Sequence, residues 1–166
     1  ITNEVFKNKD FDYYKDIEKC LTNNKDDSVT NEHYLQLMKN MKFNSTNATY
    51  LLLFLETCIN TDTHIVPLDY TLEHICCQKN KDQLVNKSLI DNIGNLTLIE
   101  GKNSDNGHKG NSSLGSKTYD KKKLSYKGSS SMITRKLCEQ FKTFDENDIV
   151  KRNDIIVELL NKYTNY

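Results

Sequence analysis

A carboxylate and an imidazole stand side by side at Glu73-His74. Gly94-Asn95 follows, and then Asn103, His108 and Asn111 lead into a run of lysines. Those residue types suit phosphodiester hydrolysis. That reaction needs a base to strip a proton from water, and an imidazole can serve. It also needs a cation to offset charge on the phosphorane and on the departing 3′ oxygen. Hard divalent ions such as Mg²⁺ prefer oxygen donors, so a carboxylate and an amide are suitable ligands. Asn95 suits a structural task, because its amide can donate and accept and so tie loop backbone near the base.

These residues need elements to carry them. Residues 70–77 alternate Tyr/Leu/His/Cys against Thr/Glu/Ile/Cys and predict a strand, and residues 93–99 predict a second. Adjacent strand residues point to opposite faces, so Glu73 and His74 diverge unless twist or a helix brings them together. A polar stretch, 78–92, separates the strands, and a Gly/Asn/Ser/Lys loop, 101–113, follows the second. A basic helix is expected around Tyr119 to Tyr126. The order strand, loop, strand, loop, helix is the layout of the ββα-metal (HNH, His-Me finger) nuclease motif. Before it, Phe6, Phe11, Tyr14, Ile17 and Leu21 predict one helix. Thr30 caps a second through Tyr34, Leu37, Met38 and Met41, and Asn47 a third over 48–59. Two tail helices are expected over 133–144 and 148–163. The fold class is therefore α+β, a mostly helical domain carrying that motif. The expected division is a helical scaffold over 1–69, the nuclease core with its basic segment over 70–136, and C-terminal helices packing on the scaffold over 137–166.

Charge sharpens this picture. Lys and Arg number 23 among 166 residues and Asp and Glu also 23, which excludes a uniformly basic nucleic-acid binder. The balance is segregated, however. Residues 101–136 hold nine basic and two acidic side chains, net +7, while 1–69 are net −4, 70–100 net −1 and 137–166 net −2. Lys117, Lys121, Lys122, Lys123, Lys127 and Arg135 are the expected phosphate contacts. No apolar run reaches the roughly 18 residues that a membrane span needs, so no membrane partner is expected. Five Cys without a CxxC pair argue against a disulfide framework or zinc ribbon and fit a reducing cytoplasm. The chain starts at Ile1 with neither an initiator Met nor a signal peptide, and is expected to be a fragment of a longer protein.

Leu72-Glu73-His74-Ile75, then Ile93-Gly94-Asn95-Leu96-Thr97-Leu98-Ile99, then Asn111-Ser112-Ser113-Leu114-Gly115-Ser116-Lys117-Thr118-Tyr119-Asp120-Lys121-Lys122 resemble the C-terminal HNH nuclease domain of the GmrSD-type restriction endonucleases. Tyr50 to Glu56, Ser129-Ser130, Ile133-Thr134-Arg135 and Asp148 to Arg152 fall where that family has similar segments, so the resemblance covers residues 48–160. It implies a metal-dependent DNA endonuclease, a phosphodiester hydrolase of restriction or anti-phage defence. His74 is then the general base, Glu73 and Asn111 are metal ligands, and Asn95 is the orienting Asn. It also implies a nucleotide-sensing N-terminal partner domain, whose DGQQR-like motif does not occur here. Two departures stand out. Cys77 replaces a frequent Pro, and the lengthened 101–110 connection leaves Asn103 and His108 as rivals to Asn111. The ion expected is Mg²⁺, with Mn²⁺, Zn²⁺ or Ni²⁺ favoured if His108 joins. Products should carry 5′-phosphate and 3′-hydroxyl ends. One active site nicks, while double-strand cleavage requires a homodimer or successive nicks. The alternative is a catalytically silent DNA-binding or protein-interaction module on the same fold. Cys76 and Cys77 are read as structural, because nothing marks the acid or oxyanion nest that a Cys/His hydrolase needs. His33 and His64 are read as surface residues.

Overall fold

The computed structural model describes residues 36, 39–59, 69–101 and 110–164. The expected helices through Phe6 to Leu21 and from Thr30 lie outside these, apart from helical Gln36, Lys39 and Asn40 and from Met41, which is not helical. So do His33, His64, Asn103 and His108. The remaining elements belong to one unit, residues 37–166.

The first is helix α1, Ser45–Ile59. Asn44, not Asn47, caps it: its side-chain oxygen accepts the Asn47 N–H at 2.8 Å, so the helix starts three residues before the expected position. Ala48, Leu51, Leu52, Leu55 and Glu56 form its buried face, the i, i+3, i+4, i+7 stripe of a packed helix. Strand β1, Tyr70–His74, pairs antiparallel with β2, Leu96–Glu100, with Glu73 opposite Thr97 and His74 opposite Leu96. Both strands are shorter than the alternation predicts. β1 ends at a bend over Ile75-Cys76, and residues 93–95 form a 3₁₀ turn rather than strand. The intervening polar stretch forms two further 3₁₀ turns, Gln78–Gln83 and Lys87–Asp91. Among the described residues four helices follow: α2, Asn111–Leu114; α3, Tyr119–Gly128; α4, Met132–Gln140; and α5, Glu146–Thr164. The architecture is thus mostly helical with a two-stranded antiparallel sheet.

The first four residues of β2 are buried, which explains its near-continuous apolar run: no face of it meets water. One core cluster joins Ile75 and Ile99 of the sheet region to Leu114, Tyr119, Tyr126, Leu137 and Phe141 of the helices. Carboxylates join the elements at their ends. Glu56 of α1 accepts the N–H groups of Met132 and Ile133 and the Ser131 hydroxyl, at 2.6, 3.0 and 3.0 Å, so it satisfies donors that the start of α4 leaves open. Glu146 does the same for the Val85 and Asn86 N–H groups.

The turn that enters β2 presses against α5. A Cβ on Gly94 would lie 2.1 Å from the Ile149 carbonyl oxygen and 2.9 Å from the Asn153 nitrogen, both backbone atoms. Arg152, buried on the same helix, donates from one guanidinium nitrogen to the carbonyls of Ile93, Gly94 and Leu96 at 3.2, 2.8 and 2.7 Å. Burial lowers its pKa to about 10, so the guanidinium stays charged at neutral pH. Gly94→Ala is expected to destabilise the fold by about 1–3 kcal/mol, the usual cost of forcing atoms into a packed contact. Urea titration checks this, and an unchanged midpoint would show that α5 can retreat freely.

Candidate active site

β1 sends its last two side chains to different surroundings. Glu73 is 5% exposed and faces α3, where Lys122 Nζ lies 2.6 Å from its Oε1 and the Tyr126 hydroxyl donates to the same oxygen at 3.2 Å. Burial first, and then the charge of Glu73, raise the Tyr126 pKa well above the ordinary phenol value, which keeps that hydroxyl a donor. Lys122 is 0% exposed. It also donates to the His74 and Ile75 carbonyls, at 2.7 and 3.4 Å. An ammonium has three N–H donors, and these three oxygens match them. Lys122 is therefore not a phosphate contact as expected from its place in the basic run. It is a buried cation that locks the end of β1 to α3.

His74 lies on the more open side, with its side chain 21% exposed. Its Nε2 is 3.2 Å from Asp91 Oδ1, a carboxylate whose side chain is 40% exposed, and 3.3 Å from the Gln78 amide. The bend just after His74 is tied to Asn95, which is fully buried. The Asn95 side-chain oxygen accepts the Cys76 N–H at 2.7 Å, and its amide nitrogen donates to the carbonyls of Cys76 at 3.1 Å and Ile90 at 2.8 Å. The Ile75 N–H also reaches the Asn95 carbonyl at 2.9 Å. Three of the four hydrogen bonds that the side-chain amide can make thus end on backbone near His74 or Asp91.

Asn111 is the first residue of α2, after a Gly110 N-cap. Its amide nitrogen donates to Thr71 Oγ1 at 3.0 Å and to the Leu72 carbonyl at 2.9 Å, which fastens α2 to β1. The other predicted cations differ in what they meet. Lys121 and Lys127 are exposed. Lys117 donates to the Ser113 carbonyl, Lys123 pairs with Asp120 at 3.3 Å and also reaches the Lys142 carbonyl, and Arg135 donates to the Ser129 and Ser130 carbonyls. Burial pushes the Cys76 thiol up, which makes it a poor nucleophile at neutral pH.

Of the ligands that the resemblance implies, Glu73 is poorly placed to hold a divalent ion. One Glu73 oxygen already meets an ammonium 2.6 Å away. A dication on that carboxylate would sit against a buried like charge. Among the described residues, no three His, Cys, Asp or Glu side chains converge on a common metal position. Sequence reasoning also leaves out Asp91, which stands in an aperiodic polar stretch with no spacing to mark it. Lys122 carries a usable signal: Tyr119, Lys122 and Tyr126, at i, i+3 and i+7, share one face of α3.

A family model for the C-terminal domain of the GmrSD restriction endonucleases matches residues 2–159. The match reaches further toward the N-terminus than the motifs that carry the resemblance. No curated protein matches the chain. Among the described residues, no helix is long and apolar enough to cross a membrane.

Proposed function

The chain belongs to the family of GmrSD restriction endonuclease C-terminal domains, and on that premise we propose that it is an HNH-type DNA endonuclease module in which His74 activates water. The observation that carries this reading is the convergence on one imidazole. Asn95 holds the backbone two residues after His74, Lys122 holds the His74 carbonyl itself, and the ring remains partly open to solvent. A general base needs that combination of fixed position and access.

In the proposed reaction His74 takes a proton from water as its oxygen attacks phosphorus. A new P–O bond forms, the bond to the 3′ oxygen breaks, and that oxygen takes up a proton from solvent. The ends are a 5′-phosphate and a 3′-hydroxyl. A divalent ion, Mg²⁺ first, is part of the proposal because the resemblance implies one and because charge builds on the phosphorane. Glu73 is a poor ligand for it, while Asn111, Asn103 and His108 remain the donors that the sequence offers. The substrate is DNA, the partner is the sensing domain typical of the family, and the compartment is the cytoplasm.

Nicking of supercoiled plasmid, with Mg²⁺ or Mn²⁺ and with EDTA as control, tests the reading by comparing wild type with His74→Ala. Salt-sensitive DNA binding without nicking by either protein would favour the silent binding module. The exposed cations give a separate test. Lys121→Gln with Lys127→Gln is expected to weaken DNA binding and to flatten the log–log salt dependence by about 0.9 for each phosphate no longer neutralised, about 2 for the pair. An unchanged slope would make these lysines an ordinary solvated face.

A further inference from the structure

We infer that Asp91 is a positioning residue for His74: its carboxylate holds the proton on Nε2 and so leaves Nδ1 as the nitrogen that accepts the proton from water. The inference rests on the nuclease reading above and adds to it the residue that sets the orientation of the base.

Three observations carry it. First, Asp91 Oδ1 stands 3.2 Å from Nε2. An ionised carboxylate only accepts, so a hydrogen bond there requires Nε2–H. The Gln78 amide nitrogen lies 3.3 Å from the same ring nitrogen, but Gln78 is neutral, and turning its amide over puts its accepting oxygen there instead. The charged acceptor is the stronger partner and decides the tautomer, and Gln78 adapts to it.

Second, the pair is built in by the fold. Asp91 ends the 3₁₀ turn Lys87–Asp91, whose start is capped by the Asn86 side chain accepting from the Ser88 N–H. Its own carbonyl accepts the Phe43 N–H at 2.9 Å, so the backbone at Asp91 is anchored from outside the turn. Third, a single buried amide spans the two partners. Asn95 bonds Cys76, two residues after His74, and Ile90, one residue before Asp91. One side chain therefore ties together the two backbone segments that carry the imidazole and the carboxylate. As Nδ1 takes its proton the ring becomes cationic, and the carboxylate already at Nε2 stabilises that charge.

The test uses the whole protein and two readouts. The first is the tautomer of His74, from ¹⁵N chemical shifts of the imidazole at a pH where it is neutral, assigned with His74→Ala. The second is steady-state nicking of supercoiled plasmid with Mg²⁺ or Mn²⁺. Wild type is expected to show Nε2–H. Asp91→Asn should lower kcat by about 10–100-fold, part of the 10²–10⁴ that a positioned base supplies, with KM little changed and a mixed tautomer population. Asp91→Glu, which keeps the acceptor, should recover a substantial share of kcat. An Nδ1–H tautomer in wild type overturns the inference whatever the nicking shows, and so does wild-type kcat in Asp91→Asn. If Asp91→Asn shifts the His74 tautomer while the protein fails to nick, or nicks equally as His74→Ala, the nuclease reading is refuted and the hold of Asp91 on the ring is still supported.

Discussion

His74→Ala is expected to lower plasmid nicking by about 10²–10⁴-fold, the range supplied by a positioned general base. The fall should appear in kcat with KM nearly unchanged, because in the proposed reaction the ring acts on the attacking water and not on binding of the DNA backbone. The substitution separates chemistry from folding unusually well. The hydrogen bond that Lys122 makes at this position goes to the His74 carbonyl, which alanine keeps. The pairing of residue 74 with Leu96 is also a backbone matter. What alanine removes is the ring with its contacts to Asp91 and Gln78, all three side chains lying in part-open surroundings. Unfolding free energy should therefore move by no more than about 0.5 kcal/mol, as for most changes outside a core. DNA affinity and its salt slope should also be retained, because the exposed cations proposed to meet phosphate, Lys121 and Lys127, are untouched. Wild-type nicking by His74→Ala would remove the imidazole from the reaction. Abolished nicking together with a collapsed melting curve would instead make His74 a packing residue.

The parts of this site that the sequence reveals are those written in a local period. Alternation marks where the strands stand, and Gly94-Asn95 marks a turn that only a side-chain-free residue can press against α5. The diverging faces of Glu73 and His74 also follow from alternation alone. What covers each face does not, because that depends on residues far along the chain. Glu73 looks like a ligand when its only known neighbour is His74. It becomes half of an ion pair once α3 folds over it and brings in Lys122, 48 positions after His74. Among the lysines, charge counts cannot say which one is buried. Helical phase can, because Lys122 shares a face with Tyr119 and Tyr126 while Lys121 points away to solvent. Asp91 has no comparable marker. Its turn has neither helical nor strand periodicity, and it meets His74 only because Asn95 closes the loop between them. The cap of α1 is a milder case. Asn44 and Asn47 are both good caps three residues apart, and the choice between them rests on where the backbone turns.

Lys122→Met should cost about 3–5 kcal/mol, the usual penalty for breaking a buried ion pair by removing one partner. Set against the roughly 5–15 kcal/mol that typically holds a domain together, that is a large share. The methionine has a similar stem, so the penalty falls on what the ammonium satisfied. Glu73, 5% exposed, would keep only the Tyr126 hydroxyl on the oxygen that Lys122 held, and the His74 and Ile75 carbonyls would be left without their donor. A buried carboxylate without its cation then has two escapes, protonation or local opening of the end of β1. Both reach the backbone that carries His74, so nicking should fall along with stability. The double variant Glu73→Gln, Lys122→Met removes both charges, and much of the stability should return. A coupling energy of about 0.5–3 kcal/mol between the two sites is the expected measurement from urea unfolding. Mg²⁺ adds a second discrimination. If Glu73 were a metal ligand in the folded protein, removing Lys122 would relieve the like charge and Mg²⁺ would raise the midpoint of Lys122→Met well above that of wild type. The pairing seen here predicts no such gain, because the His74 and Ile75 carbonyls need a hydrogen-bond donor and not a cation bound at Glu73. Additive costs in the double variant would refute the ion pair, and selective rescue by Mg²⁺ would make Glu73 a ligand after all.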